Sequence, residues 1–434
     1  MRILFWIFKF NLIYFLVFSL FITDYSLALI PKSVNGQEDL YDFIFDDVKA
    51  WTGEEFVRHK VPSNPDLIFS TIINNDFVYL LLEVQDRLNT ASNLPLISPI
   101  ASSGNIIIKR NRDTGEFIQL KMFVRNHEGA FLRIFPDGNR SKMEIFLQHE
   151  RLYSKVSLGV PFQRIITLPI ERIISMSSRT VDWDLILYAE HTEGDQRISQ
   201  LISQIQSELV LLFDNEDGAI NSNGEYVFIE SGEFQPIGNR GLNCSGFCKW
   251  IIDGYYYPLK QEFTEIEVLK RKDLESRGNV WSAWFESERD PFFGLDWARN
   301  LSLVLERART GENNISLEHA DVREVDFFPY IEDVGYPISK IEVILFSLAA
   351  RNPGSFYIGS INREYGDQPI LRQHSHLAIF FPYFDGEGNF KVILVERNLE
   401  NSFESLKQRY QGGYVHLTKI PAEGDFKKIH GNYF

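Results

Sequence analysis

The hydrophobic period of this chain changes once, near His191, and that change restricts the fold more than any single motif. Before it, short apolar runs recur at Leu67–Thr71, Phe77–Val84, Ile106–Lys109, Phe117–Val124, Ala130–Phe135, Met143–Gln148, Tyr153–Leu158, Arg164–Leu168 and Trp183–Tyr188. Turn formers such as Asn74-Asn75-Asp76, Asp113-Thr114-Gly115 and Pro136-Asp137-Gly138 separate them. Many short strands at this spacing predict a sandwich or small barrels over residues 29–190. No cluster of catalytic residue types falls there, and His127 and His149 read as structural, so this region is a binding or positioning module. After His191 the pattern lengthens. Ile198, Leu201, Ile202, Ile205 and Leu209 form the stripe of an amphipathic helix over Arg197–Leu212. A turn at Asp214–Gly224 and a short strand at Tyr226–Ile229 follow. The fold class expected is therefore α+β, a mostly β domain followed by a mixed domain over 191–434.

The first 28 residues stand outside that fold. Arg2 and Lys9 precede an apolar run, Leu12–Ile22, and Ser26-Leu27-Ala28 is a small-x-small cleavage signature. This is the layout of a secretory signal peptide cut after Ala28, which places the mature protein in the periplasm or extracellular envelope. The apolar run is short for a bilayer span, and no later segment is apolar enough, so no membrane span is expected in the mature protein. A net charge of −15 without a Lys/Arg-rich run speaks against a nucleic-acid partner.

Both cysteines of the chain lie in Gly241-Leu242-Asn243-Cys244-Ser245-Gly246-Phe247-Cys248-Lys249-Trp250. Turn formers precede this stretch and an apolar, helical run follows it. Asn243 is an N-cap candidate, which puts Cys244 in the first turn at the positive end of the helix dipole. There a thiol's pKa falls and the nucleophilic thiolate is favoured. Ser245 and Gly246 are small enough to let a substrate approach the sulfur. The alternative is a small buried hydrophobe. Cys248 lies one turn further on, where a local bridge to Cys244 would strain the helix.

Residues 258–335 are mixed, with helices expected at Thr264–Leu274 and Leu295–Arg309. Trp281, Trp284, Phe285, Phe292, Phe293 and Trp297 read as core or as a cleft wall. Beyond them, a helix over Ile338–Ala350 stops at Asn352-Pro353-Gly354. Strands follow at Ser355–Ile361, Gln373–Phe381 and Phe390–Glu396, the last two joined as a hairpin by Asp385-Gly386-Glu387-Gly388-Asn389. A nucleophilic cysteine needs a base, and the base needs a polar group to fix its tautomer. His376 opens the first hairpin strand, Glu396 closes the second, and Asn398 stands just beyond as the reserve third residue. The chain order is cysteine, histidine, then carboxylate or amide, the order used by papain-like enzymes.

These residues resemble the NlpC-type cell-wall peptidases, a compact papain-like group of peptidoglycan endopeptidases and amidases. Asn243-Cys244-Ser245-Gly246-Phe247 is similar to the family's Asp-Cys-Ser-Gly-aromatic motif. Pro353-Gly354-Ser355 looks like its Pro-Gly-Asp strand opening, and His376-Leu377-Ala378-Ile379-Phe380 like its His-Val-Gly-Ile-Tyr strand. Arg197–Leu212 and Tyr226-Val227 look like the helix and strand that precede the nucleophile. The resemblance covers about residues 195–400, with 258–335 as a long insertion. It implies a helix bearing Cys244 packed on an antiparallel sheet bearing His376, and amide hydrolysis of cell-wall peptides without a cofactor or metal. It also implies Tyr226 in the substrate pocket and the Cys244 amide in the oxyanion hole. This chain departs from the family in Asn243 and Ser355, each for aspartate, and in a third residue that is commonly histidine. Two other readings stay open: a zinc site of Cys244, Cys248, His374 and His376, and a module that keeps the fold but only binds. His374 reads as a rim residue on the same strand face as His376.

Overall fold

The structure is a computed structural model that describes residues 44, 56–61, 64–73, 76–84, 103–124, 129–166, 168, 170–273, 290–366 and 371–429. The signal peptide, His127, and Trp281, Trp284 and Phe285 of the expected insertion lie outside the described residues. The chain divides into two compact units between Tyr188 and Ala189, two residues before the boundary expected from the sequence.

The first unit is one eight-stranded antiparallel sheet with its strands in chain order. They are β1 Phe56–Val61, β2 Asn64–Ile73, β3 Phe77–Val84, β4 Ser103–Asn111, β5 Phe117–Val124, β6 Phe131–Asp137, β7 Arg140–Leu147 and β8 Glu150–Ser157. Among the described residues a single meander takes the place of the expected sandwich or small barrels. Alternation buries one face, with Ile108, Leu120, Leu132, Ile134, Met143 and Ile145 closed off from solvent. Helix α1, Phe162–Ile166, packs on β6 and β7. It replaces the strand expected at Arg164–Leu168, because the buried residues Phe162, Ile165 and Ile166 follow helical spacing. Helix α2 is Ile170–Ser177. The strand expected at Trp183–Tyr188 is also a helix, α3, Trp183–Ile186, which Asp182 caps by accepting from the Leu185 amide.

The second unit is mixed α+β. Helix α4, Glu193–Leu209, starts at a capping box formed by Thr192 and Asp195. The expected turn at 214–224 contains a strand, β9 Gly218–Ile220, which pairs with β10 Tyr226–Phe228. Then come α5 Cys244–Lys260, the short α6 Ile266–Leu269, α7 Phe293–Thr310, β11 Tyr336–Pro337 and α8 Ile341–Arg351. The chain finishes with β12 Ser355–Tyr365, β13 Leu371–Phe384, β14 Phe390–Glu396, β15 Leu399–Asn401, α9 Phe403–Arg409 and β16 Tyr414–Pro421. The six-stranded sheet has the order β11-β16-β12-β13-β14-β15, and every pair is antiparallel.

That sheet is covered on both faces. Phe356, Ile358, Leu377, Ile379, Phe381 and Val395 join α4, α5 and α7 in one core. Tyr357, Ile361, Ala378, Phe380 and Leu394 join α8, Leu406 and Leu417 in the other. Double coverage explains why β12 and β13 read as unbroken apolar runs, since both sets of alternating side chains are buried. Among the described residues no helix is long and apolar enough to cross a membrane.

Candidate active site

Cys244 is the first residue of α5, and the Asn243 side chain accepts from the Gly246 amide at 2.7 Å. The cap leaves Cys244 partly exposed at the positive helix end. The adjoining small residues are occupied by packing. A Cβ on Gly246 would lie 2.0 Å from the Gly218 carbonyl oxygen, so glycine is what lets β9 cross the helix start. Ser245 is buried, and its carbonyl accepts from the Trp297 indole at 2.9 Å. Tyr226 pairs with Ile220 and is buried in the α5 side of the core. All three residues help to fix the helix that carries the sulfur.

His376 meets the sulfur from β13. Its Nε2 donates to Glu396 Oε1 at 2.7 Å, and its ring hydrogen-bonds to the Cys244 side chain. With Nε2 engaged, Nδ1 is the ring nitrogen left for the sulfur. The Tyr410 ring stacks on the imidazole at a centroid distance of 5.7 Å and 12° between planes. Glu396 is 5% exposed, and its other oxygen accepts from Asn401 Nδ2 at 2.6 Å and from the Arg409 guanidinium.

The charges in this group sustain one another. Burial disfavours a Cys244 thiolate, yet the hydrogen bond and charge of His376, the Leu377 amide and Arg397 together hold the thiol below its ordinary value. Burial likewise disfavours an imidazolium, but Cys244 and Glu396 push His376 up to about 9. Glu396 is desolvated too, and His376 and Arg409 keep its carboxyl below the usual value. All three shifts favour a thiolate–imidazolium pair backed by a carboxylate.

The remaining candidates are placed elsewhere. Asn398 donates to the Leu212 carbonyl at 2.6 Å, tying the β14–β15 turn to the end of α4. Arg397, next along from Glu396, pairs with Asp214. Cys248 is buried at 1% exposure, and burial with the nearby Cys244 raises its thiol well above the ordinary value. His374 and His376 do not share a face. Register runs from Ile361↔His376 to Asn362↔His374, which leaves Ser375 as an extra residue in β13. The bulge turns His374 to Ser360, whose hydroxyl lies 2.9 Å from His374 Nδ1, and against the Phe292 ring. His374 is buried there rather than at a rim. Cys244, Cys248, His374 and His376 therefore do not converge on a zinc ion. Among the described residues, carboxylates of Glu318, Glu332 and Asp333 do come together, but Arg323 already neutralises the first two.

Asn401, Arg409 and Tyr410 were not singled out from the sequence. The available signal was Ser402, a good N-cap ahead of Phe403 and Leu406, with Gly412-Gly413 as a stop. Ser402 does cap α9, accepting from the Ser405 amide at 3.2 Å.

A domain of unknown function, DUF8515, matches residues 63–185, which lie within the first unit and end before the cysteine helix. No curated protein and no solved structure matches the chain.

Proposed function

We propose that the second unit is a papain-like thiol hydrolase of the NlpC type, exported and acting on amide bonds of cell-wall peptides. The observation that carries this reading is the hydrogen-bonded series Cys244–His376–Glu396, with the sulfur at a capped helix N-terminus. In it, the thiolate of Cys244 attacks the substrate carbonyl, and the developing oxyanion lies near the Cys244 amide at the helix start. The His376 imidazolium then gives its proton to the leaving amine, and the same ring takes one from the water that releases the acyl group. Glu396 holds the ring in the tautomer with Nε2 protonated and stabilises its charge. The peptide substrate rests on the sequence resemblance, and the first unit serves as a binding or positioning module. Export predicts a mature N-terminus at Leu29, which mass measurement of protein recovered from the envelope reads directly.

The test of the reaction is to incubate mature protein with purified cell-wall fragments and weigh the products. New fragments whose masses sum to that of the parent plus one water, made by the wild type and not by Cys244→Ala, are expected. Products that persist in Cys244→Ala, or a wild type that leaves all fragments intact, would overturn the reading.

A further inference from the structure

We infer that Arg409 and Tyr410, at the end of α9, are positioning residues that hold Glu396 and the His376 ring in line with the Cys244 sulfur. The inference rests on the catalytic pair proposed above and extends it to an element outside the motifs that suggested it. Helix α9 is anchored first. Leu406 is fully buried in the core beneath the sheet, and the Phe403 ring stacks on Phe380 of β13 at 6.1 Å. Ser402 caps its start, and the Tyr410 amide closes its end on the Leu406 carbonyl. A short helix fixed at both ends carries Arg409 and Tyr410 to one place with little freedom.

The two residues do different things there. Glu396 offers one oxygen to His376 and the other to Arg409 and Asn401, so its carboxylate is gripped from behind while it grips the ring. A single hydrogen bond leaves a glutamate side chain free to rotate about its terminal torsion, and bonds on the second oxygen remove that freedom. Arg409 also supplies a charge. Thiolate, imidazolium and carboxylate sum to −1 in a largely buried group, and the guanidinium brings the sum to zero, which lowers the cost of keeping the carboxylate ionised. Tyr410 covers the face of the imidazole and fixes its plane. The titratable or charged groups facing His376 are thus Cys244 from α5, Glu396 from β14, and Tyr410 with Arg409 from α9. Arg397 acts on the sulfur and Tyr365 on Tyr410 at longer range.

The pH profile of Cys244 alkylation by iodoacetate, whose carboxylate is drawn to the His376 imidazolium, reads this arrangement without needing a substrate. The wild type is expected to show an acid limb, where the thiol ionises, and an alkaline limb, where His376 loses its proton. In Arg409→Gln a Glu396 no longer held in place lets the window close from both sides. The acid limb rises by about one pH unit, a roughly tenfold loss of thiolate at its foot, and the alkaline limb falls. Arg409→Lys, which keeps the charge, restores most of the window. Tyr410→Phe keeps the wild-type profile and Tyr410→Ala narrows it. Asn401→Ala, on the exposed β15, is the control in case Arg409→Gln does not fold, and it narrows the window by a smaller amount. Both limbs rising together in Arg409→Gln would mean a pure charge effect and overturn the positioning role. So would an unchanged profile in a wild-type-like background. A wild-type Cys244 that titrates as an ordinary thiol would overturn the catalytic pair itself, and this inference with it.

Discussion

Glu396 Oε1 lies 2.7 Å from His376 Nε2, and the two residues come from neighbouring strands of a hairpin. That contact favours Glu396 over Asn398 as the proposed third residue, because Asn398 turns away to the Leu212 carbonyl. Glu396→Gln keeps the shape but removes the charge that stabilises an imidazolium. Turnover is expected to fall by about ten- to a thousandfold with little change in KM. Asn398→Ala is expected to be mild. Steady-state kinetics on cell-wall fragments separate the two, and an inactive Asn398→Ala beside a fully active Glu396→Gln would move the role.

Cys244→Ala and His376→Ala are each expected to abolish hydrolysis while the protein stays folded. Cys248→Ala is expected to stay active, since its side chain is buried one turn inside the helix. Its cost is one of packing, about 1 kcal/mol for a small buried group. Thermal melts and activity on the same three variants check this, and a dead Cys248→Ala with an active Cys244→Ala would reverse the assignment.

The pH dependence of stability has a distinctive form. His376 has a folded value of about 9, above its ordinary 6.5, so its stabilising contribution is complete below pH 6.5 and is lost as pH rises through 9. Cys244 is held below its ordinary 9.0, so its contribution is complete above that value and is lost as pH falls through the folded value. Where both titrate, the two slopes oppose each other, because the proton leaving the sulfur is the one the ring holds. Between pH 6.5 and 9 the wild-type melting temperature should therefore change little on account of this pair. In Cys244→Ala the sulfur's share of the His376 raise is lost and Glu396 alone opposes burial, so the imidazole should titrate below the wild-type value of about 9. An imidazole titration, followed by NMR, that stays at the wild-type value in this variant would refute the coupling.

Gly246→Ala places a methyl group 2.0 Å from the Gly218 carbonyl oxygen. Backbone must move to admit it, with an expected loss of about 1–3 kcal/mol or more by denaturant titration. Because the displaced atoms support the first turn of α5, Cys244 alkylation at neutral pH should slow as well. If Gly246→Ala matched the wild type in both readouts, β9 would not be what holds the helix start.

The elements that carry the cysteine and the histidine could be read locally. Asn243 before an apolar run is a helix start, and it caps α5. Asp385-Gly386-Glu387-Gly388-Asn389 between two apolar strands is a hairpin, and β13 and β14 pair across it. Short apolar runs misled where two periods fit equally well. Arg164–Leu168 and Trp183–Tyr188 became helices because burial followed the spacing of Phe162, Ile165 and Ile166 and the cap at Asp182.

By itself, then, the sequence determined the local propensities: a β-rich first unit, a capped helix with Cys244 in its first turn, and a hairpin ending in Glu396. Tertiary structure decided which side chains meet. The bulge at Ser375 sends His374 and His376 to opposite faces, and no short-range pattern announces it, since a bulge is settled by the register of the partner strand β12. Arg409 reaches Glu396 only because Phe403 and Leu406 seat α9 on the sheet. Periodicity reports how a segment lies against its own neighbours, whereas the partner of a buried charge is chosen by the packing of elements far apart in the chain.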